Sequence, residues 1–118
     1  MVKIFKWWRR KHCPGGVKYP KGITLEKLIA DNLGDSSAST EDFLIETMQN
    51  IVSAYKKAYV DAGINPYIDD PSGKIDSNDL LAGYTTDDFK GFILKLDEHI
   101  KLLNDNGSES ETWRTILG

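Results

Sequence analysis

Ile4, Phe5, Trp7, Trp8, Arg9, Arg10 and Lys11 gather in one short stretch two things a recognition surface needs. Bulky apolar groups gain from leaving water, and fixed positive charges neutralise anions. Read as a helix, MVKIFKWWRRKH sets Met1, Ile4, Phe5 and Trp8 along one side and Lys3, Lys6, Arg10 and Lys11 over much of the rest. A cationic amphipathic segment of this kind can enter a partner's groove, stack on single-stranded nucleic acid or lie on an anionic membrane. It can also fold back onto the chain's own helices. Four bulky apolar side chains among five charges favour a protein partner or a second copy of the chain, with nucleic acid as the alternative and a membrane surface last.

Catalytic candidates are few. His12 and Cys13 are adjacent, so their side chains diverge, and no further ligands are spaced to join them. Cys13 and His99 could form a nucleophile and base only by meeting in space; His99 sits at the margin of an apolar helical stripe and reads as a packed side chain. With one cysteine, no internal disulfide and no cysteine-built zinc site can be completed. Asp87 and Asp88 suit the positive end of a helix, and Asp97 and Glu98 a solvated face. There is no glycine-rich phosphate loop, nucleophile elbow or zinc-protease motif. No catalytic residue, metal site, cofactor or small-molecule substrate is assigned on these grounds.

Between Ile68 and Asp79, taking Gly73 as a central glycine puts Asp70, Ser72, Asp76 and Asp79 at alternate ligand places with Ile75 at an apolar one. This twelve-residue pattern partly resembles a calcium loop of the EF-hand or dockerin type. Ile68 then fills the first ligand place, which it cannot serve, and Pro71 lies inside the loop. The segment is expected to be a polar turn without a tight cation site.

The elements that must position these residues follow from apolar spacing. Cys13-Pro14-Gly15-Gly16 breaks the chain after the first stretch, and Val17 to Ile23, interrupted by Pro20 and Gly22, reads as an extended connector with room for a small strand pairing. Thr24 is placed to cap a short helix from Leu25 to about Leu33, with Gly34 at its end. Ser39 or Thr40 starts the longest helix, on which Leu44, Met48, Ile51, Val52, Tyr55 and Tyr59 recur until Gly63. One helical turn is expected at Asn78 to Ala82. Thr85 or Thr86 caps a third strong helix to about Leu103, bearing Phe89, Phe92, Ile93, Leu96 and Ile100, and a last short one carries Trp113, Ile116 and Leu117.

Charge divides the chain as sharply as hydropathy does. Seven of the 15 basic residues and none of the 18 acidic ones precede Glu26. The expected organisation is therefore a basic, aromatic N-terminal arm over residues 1–16 and an acidic helical domain over 17–118. The fold class is all-α or nearly so, a small irregular bundle of two long and two short helices. No apolar run reaches the roughly 18 to 20 residues of a membrane span. These features together predict a non-enzymatic interaction or structural protein, a small subunit docking through its arm, with a nucleic-acid-associated regulator as the alternative. The expected setting is cytoplasmic or otherwise intracellular, a viral particle included.

Overall fold

The structure is a computed structural model that describes residues 2–35, 39–70, 79–106 and 110–118. Five α-helices account for most of them: α1 (Val2–His12), α2 (Gly22–Asp31), α3 (Thr40–Tyr55), α4 (Thr86–Asn106) and α5 (Ser110–Leu117). Among the described residues there is no strand, only a single antiparallel bridge between Asp69 and Asp79. The all-α expectation holds, and the connector after α1 forms no strand pairing.

The two long helices, α3 and α4, pack against each other and carry the centre of the core. Leu44, Met48 and Ile51 from α3 meet Phe89, Phe92, Ile93, Leu96 and Ile100 from α4, all buried. Each set repeats every three or four residues, so one face of each helix leaves water. Leu25, Leu28 and Ile29 of α2 and Ile116 of α5 close the sides. α1 joins the same core through Phe5 and Trp8, of which only 1% and 2% stay exposed. Ile4, Phe5 and Trp8 share a small apolar void with Leu44, Met48, Leu96 and Ile116, which is where four helices converge.

Local chemistry sets the ends of the helices. The Ser39 hydroxyl accepts the Asp42 N–H at 3.2 Å to start α3, and Thr85 and Asp88 exchange side-chain-to-backbone bonds at 3.0 Å to start α4. α3 does not run on as an α-helix to residue 62. It passes at Lys56–Val60 into one π-turn, whose wider ring is closed by the Asp61 N–H to the Lys56 carbonyl at 2.9 Å. Gly63, at φ +74°, then takes the left-handed position that ends it.

Two boundaries differ from expectation for tertiary reasons. α2 begins at Gly22, two residues before Thr24, because the Thr24 hydroxyl faces inward and donates to the Leu80 carbonyl at 3.2 Å. Gly34 is not a left-handed cap. It is where the chain crosses α3, and a Cβ there would lie 2.8 Å from that of Glu46. Its N–H donates to the buried Thr47 hydroxyl, while the Asn50 amide donates to the Asn32 and Leu33 carbonyls left open by the end of α2. Of the turn expected at Asn78 to Ala82, Leu80–Ala82 is a turn and Asn78 lies outside the described residues.

Truncating Phe5, Ile51 or Leu96 to alanine is expected to cost about 2 to 5 kcal/mol each, because each leaves a cavity where several helices meet. Leu33→Ala, at a half-exposed position, should stay within about 0.5 kcal/mol of the parent. Urea unfolding with a common m-value measures both; a Phe5→Ala chain as stable as the parent would mean that α1 does not belong to this core.

Candidate functional site

The sequence grouped His12, Cys13 and His99 as remote catalytic candidates, and the fold brings them near one another without making a catalytic pair. His12 and His99 stand edge to face, ring centres 4.5 Å apart. The Trp8 indole N–H donates to Nδ1 of His99 at 2.8 Å, which fixes the His99 proton on Nε2. Nε2 of His12 donates to the Ile116 carbonyl at 2.6 Å. The Cys13 thiol donates to the Val17 carbonyl at 3.1 Å and its sulfur accepts the Tyr19 N–H at 3.4 Å. Each side chain is thus committed to holding the fold. Burial pushes the His99 imidazole down to about 4, and the adjacent His12 adds to the shift, while Glu98 opposes it.

The seven arm residues separate into four groups. Phe5 and Trp8 are inside the core. Trp7 and Lys11, with His12, serve the C-terminal end of α5: Nε1 of Trp7 donates to the Leu117 carbonyl, Nε2 of His12 to that of Ile116, and Nζ of Lys11 to the Arg114 carbonyl, which also accepts the Gly118 N–H. Ile4 is half-buried against the core. Arg9 and Arg10 turn to the other flank of α1, where with Lys6, Lys21, Gly22 and Leu25 they line a solvent-open cleft of about 200 Å³ between α1 and α2.

Four basic side chains and no acidic one line this cleft. Lys6, Arg9 and Arg10 fall on one face of α1 because they lie three and four residues apart. Lys21 precedes α2, whose first turn has neither a capping side chain nor an acidic residue. Its open N–H groups and four basic side chains suit a phosphate-bearing anion. Gly22, at φ +56°, presents no side chain, and nothing lies within 4 Å of where a Cβ would be. One acid is nearby: Glu26 pairs with Lys6 at 3.2 Å, both side chains nearly half exposed, a contact of small energy that an anionic ligand can displace. Lys6, Lys21 and Gly22 were not among the sequence-derived site residues, although the spacing of Lys6 from Arg9 and Arg10 was legible.

Of the calcium-type pattern, residues 71–78, including Ser72 and Asp76, lie outside the described residues. Asp79 is engaged otherwise: its Oδ1 accepts the Ile68 and Leu81 N–H groups, both at 3.0 Å. Among the described residues no three His, Cys, Asp or Glu side chains converge in a metal-binding arrangement, and no helix is long and apolar enough to cross a membrane.

What these features define is a helical domain with a cationic cleft between its first two helices. No protein-family model matches the chain. Over its whole length it is 31% identical to the cyclic AMP-AMP-AMP synthase of Acinetobacter sp. and 29% identical to the cyclic AMP-AMP-GMP synthase of Enterobacter hormaechei subsp. hoffmannii. It spans 35% and 32% of those proteins, about a third of their length. This overturns the expectation of a non-enzymatic structural protein or small assembly subunit, and with it the absence of a small-molecule substrate, because the proteins that the whole chain resembles are named as nucleotide synthases. The expectation rested on missing catalytic motifs, and a segment matching a third of an enzyme need not carry them. A place in a viral particle gains no support from these relatives.

The His99 geometry makes stability depend on pH in a defined window. Between about 6.5 and about 4 the unfolded histidine takes up a proton that the folded one refuses. Stability contributed by neutral His99 is therefore complete above about 6.5 and lost progressively as pH falls toward 4. The melting temperature of the parent should drop through this window more steeply than that of His99→Asn, whose side-chain oxygen can accept the Trp8 N–H without titrating. Equal slopes in scanning calorimetry would refute the assignment.

Proposed function

We propose that this chain is part of an intracellular cyclic-oligonucleotide synthase and that its contribution is to hold a nucleoside triphosphate by the phosphate tail. The observation that carries the reading is the match of the entire chain to proteins named as cyclic trinucleotide synthases. The cleft supports it on chemical grounds. A triphosphate tail carries several negative charges over a short span, and Lys6, Arg9, Arg10 and Lys21 concentrate positive charge at a similar scale beside the open amides of α2. The Arg10 guanidinium group is suited to bidentate contact with phosphate oxygens, and the two lysines to point-charge contact, while Arg9 adds its charge.

Holding the tail serves nucleotidyl transfer in a direct way. Attack at the α-phosphorus releases the outer two phosphates as pyrophosphate, and cations on that leaving group stabilise the charge that develops there. A cleft that anchors the outer phosphates also fixes the α-phosphorus in line with an attacking hydroxyl, which removes much of the entropic cost of the encounter. Chain elongation and ring closure both repeat this step, so one cationic cleft can serve each round.

The discriminating experiment is calorimetric titration of the chain with ATP and with AMP. ATP should bind about tenfold or more tightly than AMP, and the preference should shrink about tenfold in Lys6→Ala and in Lys21→Ala, each removing one cation from the cleft. Indistinguishable affinity for ATP and AMP, or an ATP affinity untouched in both variants, would dismiss the phosphate-holding reading.

A further inference from the structure

The connector from Val17 to Lys21 has no regular secondary structure, and apart from the Val17 N–H, which donates to the Pro14 carbonyl, side chains rather than other backbone take up its polar groups. The Lys18 N–H donates to Oδ1 of Asp88 at 2.9 Å, the Tyr19 N–H to the Cys13 sulfur, and the Lys21 N–H to the Tyr84 hydroxyl at 3.1 Å. From the opposite side, Nε of Arg9 donates to both the Tyr19 and the Pro20 carbonyls at 3.1 Å. Of these four holders, Arg9 alone also lines the cationic cleft. Its shared hydrogen bond falls on the two residues that precede Lys21, the point at which the connector becomes α2.

We infer that Arg9 is a positioning residue, whose Nε–H, shared between two consecutive carbonyls, fixes the entry of the chain into α2 so that Lys21 and the first-turn amides of that helix face the same phosphate tail as Lys6 and Arg10. The inference rests on the nucleotide-binding reading for its ligand, a nucleoside triphosphate, but the clamp itself is a property of the free chain. A planar guanidinium can place Nε–H between two adjacent carbonyl oxygens while its stem lies along α1. A lysine ammonium at the same place carries the charge on a rotating head, without that fixed direction. Replacing Arg9 with lysine therefore keeps the charge of the cleft and removes the clamp. Tyr19 and Pro20 are themselves buried, so the ends of the clamped segment cannot shift without disturbing the aromatic packing around Trp8.

The test compares the parent, Arg9→Lys and Lys6→Ala in two measurements: amide hydrogen exchange in the free chain at Tyr19 and Lys21, whose N–H groups are bonded to the Cys13 sulfur and the Tyr84 hydroxyl, and ATP affinity. Arg9→Lys is expected to speed exchange at these amides by about tenfold and weaken ATP by about tenfold, with the melting temperature within about 3 °C of the parent. Lys6→Ala should weaken ATP with exchange unchanged. Parent-like exchange in Arg9→Lys overturns the clamp whatever ATP does, and so does faster exchange with undiminished ATP affinity. A melting temperature lowered by more than about 5 °C would make Arg9 a general stability contact, which also overturns it. If the parent itself binds no ATP, the phosphate-holding reading fails, and the exchange comparison alone decides the clamp.

Discussion

A tryptophan inside a protein brings more apolar surface than any other side chain and one N–H that must not go unpaired. In this chain the N–H of Trp8 meets Nδ1 of His99, and much of the remaining architecture is arranged around that bond. The indole stacks on Tyr19 at 6.1 Å and meets the edge of Phe92 at 5.8 Å, so α1, the connector and α4 share one aromatic cluster. His99 can play its part only as a neutral acceptor, and burial among these rings is what keeps it neutral. The polar requirement and the apolar gain are met by the same contact, which is why α1 sits at one angle on the body.

Once α1 is fixed in this way, its polar residues are divided between two tasks. Trp7, Lys11 and His12 meet carbonyls of the last turn of α5 on one flank, and Lys6, Arg9 and Arg10 face α2 on the other. The positive charge of the N-terminal stretch is thus neither free nor uniformly spread over the acidic body. Part of it closes the last helix, and part is concentrated in a cleft where the first turn of α2 adds unpaired N–H groups. Concentrated cationic charge in a concavity acts on a polyanion far more strongly than the same number of groups distributed over a convex surface.

The repeating stripes on α3 and α4 were legible in the sequence because Leu44, Met48 and Ile51, and Phe89, Phe92, Leu96 and Ile100, recur at helical spacing whatever their tertiary partners. The packing of Phe5 and Trp8 was not decidable, since a cationic amphipathic helix reads the same whether its apolar face meets its own core or another molecule. The cleft was half legible. Lys6, Arg9 and Arg10 share a face by spacing alone, but Lys21 joins them only because Arg9, Asp88 and Tyr84 hold an irregular segment in place. Function was misread for a related reason. A chain that corresponds to about a third of the enzymes it resembles need not contain their catalytic motifs.

The connector inverts the usual relation between a loop and the freedom of its sequence. A loop whose polar backbone groups face water tolerates insertion and substitution with little cost. This one is held by Arg9 and Cys13 before it and by Tyr84 and Asp88 more than sixty positions after it. Lengthening it by a single residue would break the match with all four at once, whereas its exposed side chains, such as that of Lys21, could change without altering its path. Half of the hold on this segment comes from residues that are distant from it in the chain. Drift at any of the four would be felt first in the shape of the neighbouring cleft, before it was felt in the stability of the core.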